Sequence, residues 1–223
     1  PILSADPEGG VVVIQGTGNT DDLEALRDNR VVSLTETLEY DTAGNLQNVG
    51  ARLNWEITSE ISEQVTGRME LFDGTVYFST FRSSTSATDS CEFGYSRIWG
   101  VDYIESDGTN ENGTPAPVAA ILDDAGTEVM SLPPMSNQLV MGVAIAQQPS
   151  CTIFDDVTVN DPYIGSRAYT QAAASSPGGF RLVAQVSGDG VAAEGGTVAE
   201  FSRELPTPAS VTRIQGWAGN VRD

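Results

Sequence analysis

The segment from Met69 to Tyr103, MELFDGTVYFSTFRSSTSATDSCEFGYSRIWGVDY, leaves this chain few ways to fold. Leu71-Phe72 runs into the turn pair Asp73-Gly74. Thr75-Val76-Tyr77-Phe78-Ser79-Thr80-Phe81 then alternates β-branched and aromatic residues with small polar ones. Asp-Gly tolerates the positive φ of a two-residue hairpin turn, so Asp-Gly before such a run is a strong hairpin signal. A polar excursion carrying Cys91 follows, and Arg97-Ile98-Trp99-Gly100-Val101-Asp102-Tyr103 reads as the next strand, closed by Asp107-Gly108.

Turn, strand, loop, strand ending in Asp, turn is the order in which one blade of a β-propeller is commonly written. A blade cannot bury its faces alone, so neighbouring blades are expected. The rest of the chain continues the pattern. Val11 to Ile14 reads as a buried strand ending at Gly16-Thr17-Gly18, whose glycines suit a turn of positive φ rather than a phosphate loop. Thr20 to Leu26 reads as a short capped helical turn. Strands are expected at Asn29–Leu38 and Ala51–Ile57, with Asp41-Thr42-Ala43-Gly44-Asn45 as the turn between them and Ser62 to Thr66 as a polar connection. Asp107 to Pro117 reads as a loop too polar to pack. Further strands are expected at Val118–Leu122, Gln138–Ile145, Phe180–Val186 and Val211–Trp217. The whole is expected to be one all-β domain over residues 1–223, the strands from Val11 to Tyr103 forming up-and-down antiparallel sheets arranged radially. Trp55, Tyr77, Phe78, Phe81, Trp99 and Tyr103 are its expected core and inter-blade packing, since aromatics at strand spacing are more often core than a sugar-stacking platform.

Charge and missing residues narrow the function. The chain has 223 residues with 31 Asp and Glu against 11 Lys and Arg, a net charge of -20, and every cation is an arginine. Such a surface repels phosphate backbones and anionic lipid, which excludes a basic nucleic-acid-binding face. With no histidine there is no Ser-His-Asp or Cys-His nucleophile system, and with no lysine no Schiff base. Carboxylate pairs, tyrosine, the cysteines or a cofactor remain. No apolar run approaches the roughly 20 residues of a membrane-spanning helix. Pro1-Ile2-Leu3 runs almost directly into strand sequence, as expected of a processed or truncated piece of something longer.

Cys91 and Cys151 sit in polar loop contexts, Asp-Ser-Cys-Glu and Pro-Ser-Cys-Thr, without CxxC spacing. In an acidic, Thr/Ser/Gly-rich β protein they are better read as one disulfide than as a redox pair, which places the chain outside the reducing cytosol. On the chain-entropy account such a bridge stabilises by roughly 4 kcal/mol.

Several pieces together resemble the PilY-type proteins of the type IV pilus tip. The carrying motifs are VVVIQGTG with NRVVSLTE, Gly74-Thr75-Val76-Tyr77-Phe78-Ser79-Thr80-Phe81 with its cysteine-bearing Ser/Thr loop and Ile98 to Tyr103, Val143 to Cys151, and Arg213-Ile214-Gln215-Gly216-Trp217. The resemblance spans most of residues 11 to 217. It implies a partial quinoprotein-like β-propeller, the C-terminal portion of a pilus-associated adhesin at the cell surface, with minor pilins as partners. The family's calcium loop is not matched: Asn110-Glu111-Asn112-Gly113 fits part of D-x-[DN]-x-[DN]-G, but Gly108 stands where the first aspartate belongs. The expectation is therefore a non-enzymatic structural and interaction module with no cofactor, although acidity of this kind can attract calcium. Two other readings stand beside it. One is a quinone-dependent enzyme with calcium on carboxylates such as Asp155-Asp156 and Asn160-Asp161. The other is a secreted carbohydrate- or calcium-binding β-domain.

Overall fold

The computed structural model describes residues 1–7, 9–18, 28–84, 94–147, 179–188 and 199–206. It is all-β, with several antiparallel sheets and no helix among the described residues. By contacts the chain divides into two compact units, Pro1–Ile145 with Leu182–Arg203, and Ala146–Arg181 with Glu204–Asp223. In the second, Arg181 and Glu204 form an ion pair at 3.0 Å.

The first unit opens with a four-stranded meander in sequence order: β1 (Ile2–Ala5), β2 (Val11–Gly16), β3 (Arg30–Tyr40) and β4 (Leu46–Thr58). Alternation along β2 and β3 buries Val12, Ile14, Val31, Ser33 and Thr35 on one face. A register shift after Ser33 frees Asn54 from pairing, and its amide donates to Ser33 Oγ at 3.0 Å and Thr35 Oγ1 at 2.8 Å. The bulge so lets Asn54 and Trp55 both be buried.

The second sheet is centred on β7 (Thr75–Ser83) and β8 (Gly94–Thr109). β7 carries β5 (Glu63–Val65) and β6 (Glu70–Phe72) along its other edge, while β8 carries β9 (Pro115–Ala119) and β12 (Met135–Ser136). Between β9 and β12 lies the small hairpin of β10 (Ile121–Leu122) and β11 (Glu128–Val129). Counting each broken edge as one strand, this too is an up-and-down sheet of four. Its β6–β7 hairpin turns on Asp73 and Gly74, at φ 48° and 78°, as the Asp-Gly signal predicts. Later strands are β13 (Gln138–Val140), β14 (Ala144–Gln147), β15 (Phe180–Gly188) and β16 (Ala199–Leu205). β13 pairs with the end of β15, Val140 opposite Val186.

One apolar core joins the two sheets. Val12, Ile14, Val31, Trp55 and Ile57 come from the first, Met69, Val76, Phe78, Trp99 and Val101 from the second. Phe78 and Trp99 stack with centroids 5.8 Å apart and planes 4° from parallel. Tyr103 closes one end, its hydroxyl donating to Ala5 O at 3.2 Å and its carbonyl accepting from Ser33 Oγ at 2.6 Å. The six aromatic residues expected in the core are there: Trp55, Tyr77, Phe78, Phe81 and Trp99 are buried and Tyr103 packs against the cluster. The opposite face of the second sheet is buried as well. Ser79 and Ser96 use their hydroxyls there to pin the backbone of Val140 and Gly142, at 2.9–3.0 Å.

The up-and-down order expected for Val11 to Tyr103 is what both sheets have. Among the described residues they close into neither a barrel nor a ring of blades. Four local expectations are corrected. The polar connection expected at Ser62 to Thr66 contains β5, and Ser62, Glu63, Gln64 and Thr66 are all buried because the second sheet is covered on both faces. Asp107 to Pro117 is a hairpin, since β8 runs through Gly108 as an irregularity and returns as β9. The Gln138–Ile145 strand is broken at Met141 to Val143. Gly16 and Gly18 are not positive-φ glycines. A Cβ on Gly16 would lie 2.7 Å from Met69 Cε and from a Val65 methyl, so that glycine serves close packing. The segments Thr20–Leu26 and Val211–Trp217 lie outside the described residues.

Four hairpins share one turn. At Asp6–Gly10, Asp41–Asn45, Asn110–Thr114 and Asp123–Thr127 the first residue's N–H donates to the fifth residue's carbonyl, at 2.7–2.8 Å. The fourth residue is always a glycine, at φ between 78° and 100°. This is the three-residue hairpin loop with a left-handed glycine closing the bulge. Asp41 and Asp123 complete it by accepting two backbone N–H groups each on Oδ1, at 2.8–2.9 Å.

Candidate functional site

The excursion between β7 and β8, from Arg82 to Ser96, is rooted in a charged cluster. Thr80, Arg82, Tyr95 and Arg97 share one face of the β7–β8 ladder, with Thr80 opposite Arg97 and Arg82 opposite Tyr95. β5 adds Glu63 opposite Arg82, and Glu60 lies just before it in the chain. The same face carries Phe78 and Trp99 further along, so apolar core passes directly into this polar root.

Two carboxylates and two guanidiniums meet there. Glu60 bonds Arg82 through one oxygen and Arg97 through the other, and accepts from the Tyr95 hydroxyl at 2.9 Å. Glu63 is 1% exposed. It lies 3.4 Å from Arg97 and accepts from Thr80 Oγ1 at 2.6 Å and from the Glu60 backbone N–H at 3.3 Å. Thr80 in turn accepts the Trp99 indole N–H at 2.9 Å. Both guanidiniums lie over the Tyr95 ring, at 5.9 Å for Arg82 and 5.1 Å for Arg97. Gly94 lets the strands converge here: at φ 132°, a Cβ would come within 2.2 Å of Arg82 O.

The electrostatics are those of a brace. The Arg97 hydrogen bond, aided by Tyr95 and opposed by burial, holds the Glu60 carboxyl below the usual range. Burial raises Tyr95. Hydrogen bonding to Tyr95 and the charge of Glu60 raise Arg82. Two carboxylates face two guanidiniums, so the formal charges of the cluster balance, and the lowered Glu60 carboxyl is not poised as a proton donor near neutral pH. What the arrangement does is fix the two ends of the excursion against β5.

A cavity of about 590 Å³ lies elsewhere, lined by Leu3, Gln15, Gly16, Gly18, Arg68 and Glu70 among others. Its carboxylate among the described residues, Glu70, is held by Arg68 at 2.9 Å, and no second described acid lines it. Among the described residues no three Asp, Glu or Cys side chains gather as a metal site. Asn110-Glu111-Asn112-Gly113, the partial match to a calcium loop, is the shared hairpin turn, and the Asn110 amide is spent on Thr114 Oγ1 and the Glu56 carbonyl. Cys91, Cys151, Asp155, Asp156, Asn160 and Asp161 lie outside the described residues. Sequence reading missed Glu60, Glu63, Arg82 and Arg97 as a group. The available signal was alternation: Thr80/Arg82 and Tyr95/Arg97 each sit two apart on strands flanking the same excursion.

Comparison with known proteins finds no matching family model, and no curated protein or solved structure matches the chain.

Proposed function

We propose that this chain is a non-enzymatic structural and interaction module of a cell-surface assembly, built from consecutive blades of a partial quinoprotein-like β-propeller. The observation that carries the reading is the pair of successive up-and-down sheets sharing one core, with the following segment packed on the far face of the second. Stacked meanders in chain order are how a propeller is assembled. The motif resemblance supplies the biological setting: the tip of a type IV pilus, outside the cell, with minor pilins as partners. The braced excursion at Arg82 to Ser96 is the part offered to such a partner. A bridge between Cys91, on that excursion, and Cys151 belongs to the same reading; an intact mass with two free thiols would remove it.

Two further points support a binding role over catalysis. The acids of the charged cluster are neutralised by arginines, and the chain has neither histidine nor lysine. A sugar-binding reading loses its candidates, because five of the six aromatic residues at strand spacing are buried and Tyr103 packs on the core. The test is genetic. Deleting the coding segment from its host is expected to reduce surface piliation and attachment, and restoring the chain in trans to recover both. Unchanged piliation and attachment in the deletion strain would reject the pilus role.

A further inference from the structure

The outer face of the first sheet is largely apolar, and among the described residues nothing packs over most of it. In a strand, alternate residues share a face, and residues paired across an antiparallel ladder do too. Leu3 pairs with Val13, Val13 with Leu34, Leu34 with Leu53, Leu38 with Val49 and Tyr40 with Leu46. All point away from the core shared with the second sheet. Leu3 is 72% exposed, Tyr40 59%, Val49 58% and Leu46 52%, with Val11 and Leu38 also exposed. Among the described residues, six of the ten exposed large apolar side chains therefore lie on this one face. The ends of β3 and β4 extend it as a two-stranded arm whose opposite face is polar, with Thr37 paired to Gly50 and Glu39 to Asn48.

We propose that this face is a self-association surface, on which the occupant is the same face of a second copy of the chain. This rests on the first sheet alone and not on the pilus reading. Area is the first reason. Strands about 4.8 Å apart, rising about 3.3 Å per residue, give a face on the order of 500 Å². Two such faces bury about 1,000 Å², where specific interfaces begin. Charge is the second. Arg30 and Glu56 on this face neutralise each other at 2.8 Å, leaving Glu36 as the one uncompensated charge among the outward positions named. A chain of net charge -20 thus presents a nearly neutral apolar plane, which can meet its own copy without burying unpaired charge. The third is precedent within the fold, since the opposite face of this sheet is already buried by another four-stranded sheet.

The full chain in sedimentation velocity tests this. A monomer–dimer equilibrium is expected. Because two copies of charge -20 repel, the dimer should tighten as salt rises from about 0.1 M to about 1 M, which shortens the screening length from about 10 Å to about 3 Å. The double variant Leu38→Ser/Val49→Ser should raise the dimer dissociation constant at least tenfold. Asn48→Ser, on the polar face of the arm, should leave it unchanged. Tryptophan fluorescence from the buried Trp55 and Trp99 checks folding, and Tyr40→Thr gives a milder variant should the double change not fold. A monomer up to the solubility limit at both salt concentrations overturns the proposal. So does association that weakens with salt, which would indicate an oppositely charged partner surface, or equal weakening by Asn48→Ser.

Discussion

Replacing Trp55 with alanine is expected to lower the unfolding free energy by about 3–5 kcal/mol, read from denaturant melts followed by far-UV circular dichroism. Trp55 is fully buried, and it belongs to the cluster that joins the two sheets. Its loss empties space bounded by side chains of both sheets, which are held by their own ladders and cannot collapse far. Small domains are stable by about 5–15 kcal/mol, so this single change takes a large share of the whole. Trp55→Phe separates packing from hydrogen bonding. The Trp55 indole N–H has no hydrogen-bond partner among the described residues. Phenylalanine removes that buried donor while keeping most of the ring, and leaving such a donor unsatisfied costs about 1–3 kcal/mol. Trp55→Phe should therefore retain more than half of what alanine loses. A loss below about 1 kcal/mol for Trp55→Ala would mean that the sheets do not depend on a common core.

Much of this fold was legible because its strongest signals are local. Asp73-Gly74 dictates a two-residue turn by backbone sterics alone, and Thr75 to Phe81 has the period and branching of a strand. The five-residue turns at Asp41 and Asp123 are equally local, because the aspartate side chain bonds the backbone of its own turn. What sequence could not supply was which polar residues the tertiary structure would cover. Ser62 to Thr66 has the composition of a surface connection, and only the layer beyond β7 and β8 makes it interior. Asp107 to Pro117 misled for a related reason. Its Pro and Gly content suggests a loop, but the irregular register of β8 and β9 tolerates Gly108, Pro115 and Pro117 along a broken edge.

The charged root of the excursion illustrates the same limit more sharply. Glu60 and Glu63 are three residues apart in the chain, while Arg82 and Arg97 come from two other strands. Their meeting depends on the β5–β7–β8 register, in which a one-residue slip would turn every one of them to the opposite face. Nothing in the local sequence at Glu60 specifies that register. It is set by Val76, Phe78, Trp99 and Val101, which share the core-facing side of the same strands.

That dependence yields the second large effect. Arg97→Ala should destabilise the chain by about 3–5 kcal/mol, because it leaves the Glu63 carboxylate buried without its cation. The Arg97 side chain is itself only 21% exposed, so lost packing adds to this cost and the Glu63 partner variant is needed to separate the two. Glu63→Gln in the Arg97→Ala background should restore much of the loss, since a neutral amide keeps the shape without the charge. The coupling is read from a double-mutant cycle, and strictly additive effects of the two changes would sink the idea that they form one unit. Acid titration gives an independent readout. Glu60 has its folded pKa lowered, chiefly by the Arg97 hydrogen bond. Its contribution is present above the unfolded carboxyl value of about 4.3 and is lost as pH falls through the lower folded value. Removing Arg97 takes away the main cause of that lowering, so the stability of Arg97→Ala should fall less steeply with acid than that of the wild type. Arg68→Ala, which removes the exposed partner of Glu70, should leave the acid profile near that of the wild type and stability within about 0.5 kcal/mol. The contrast between two Arg–Glu pairs in one protein turns on burial: the same ion pair is a brace where the acid is enclosed and nearly neutral in effect where the arginine faces water.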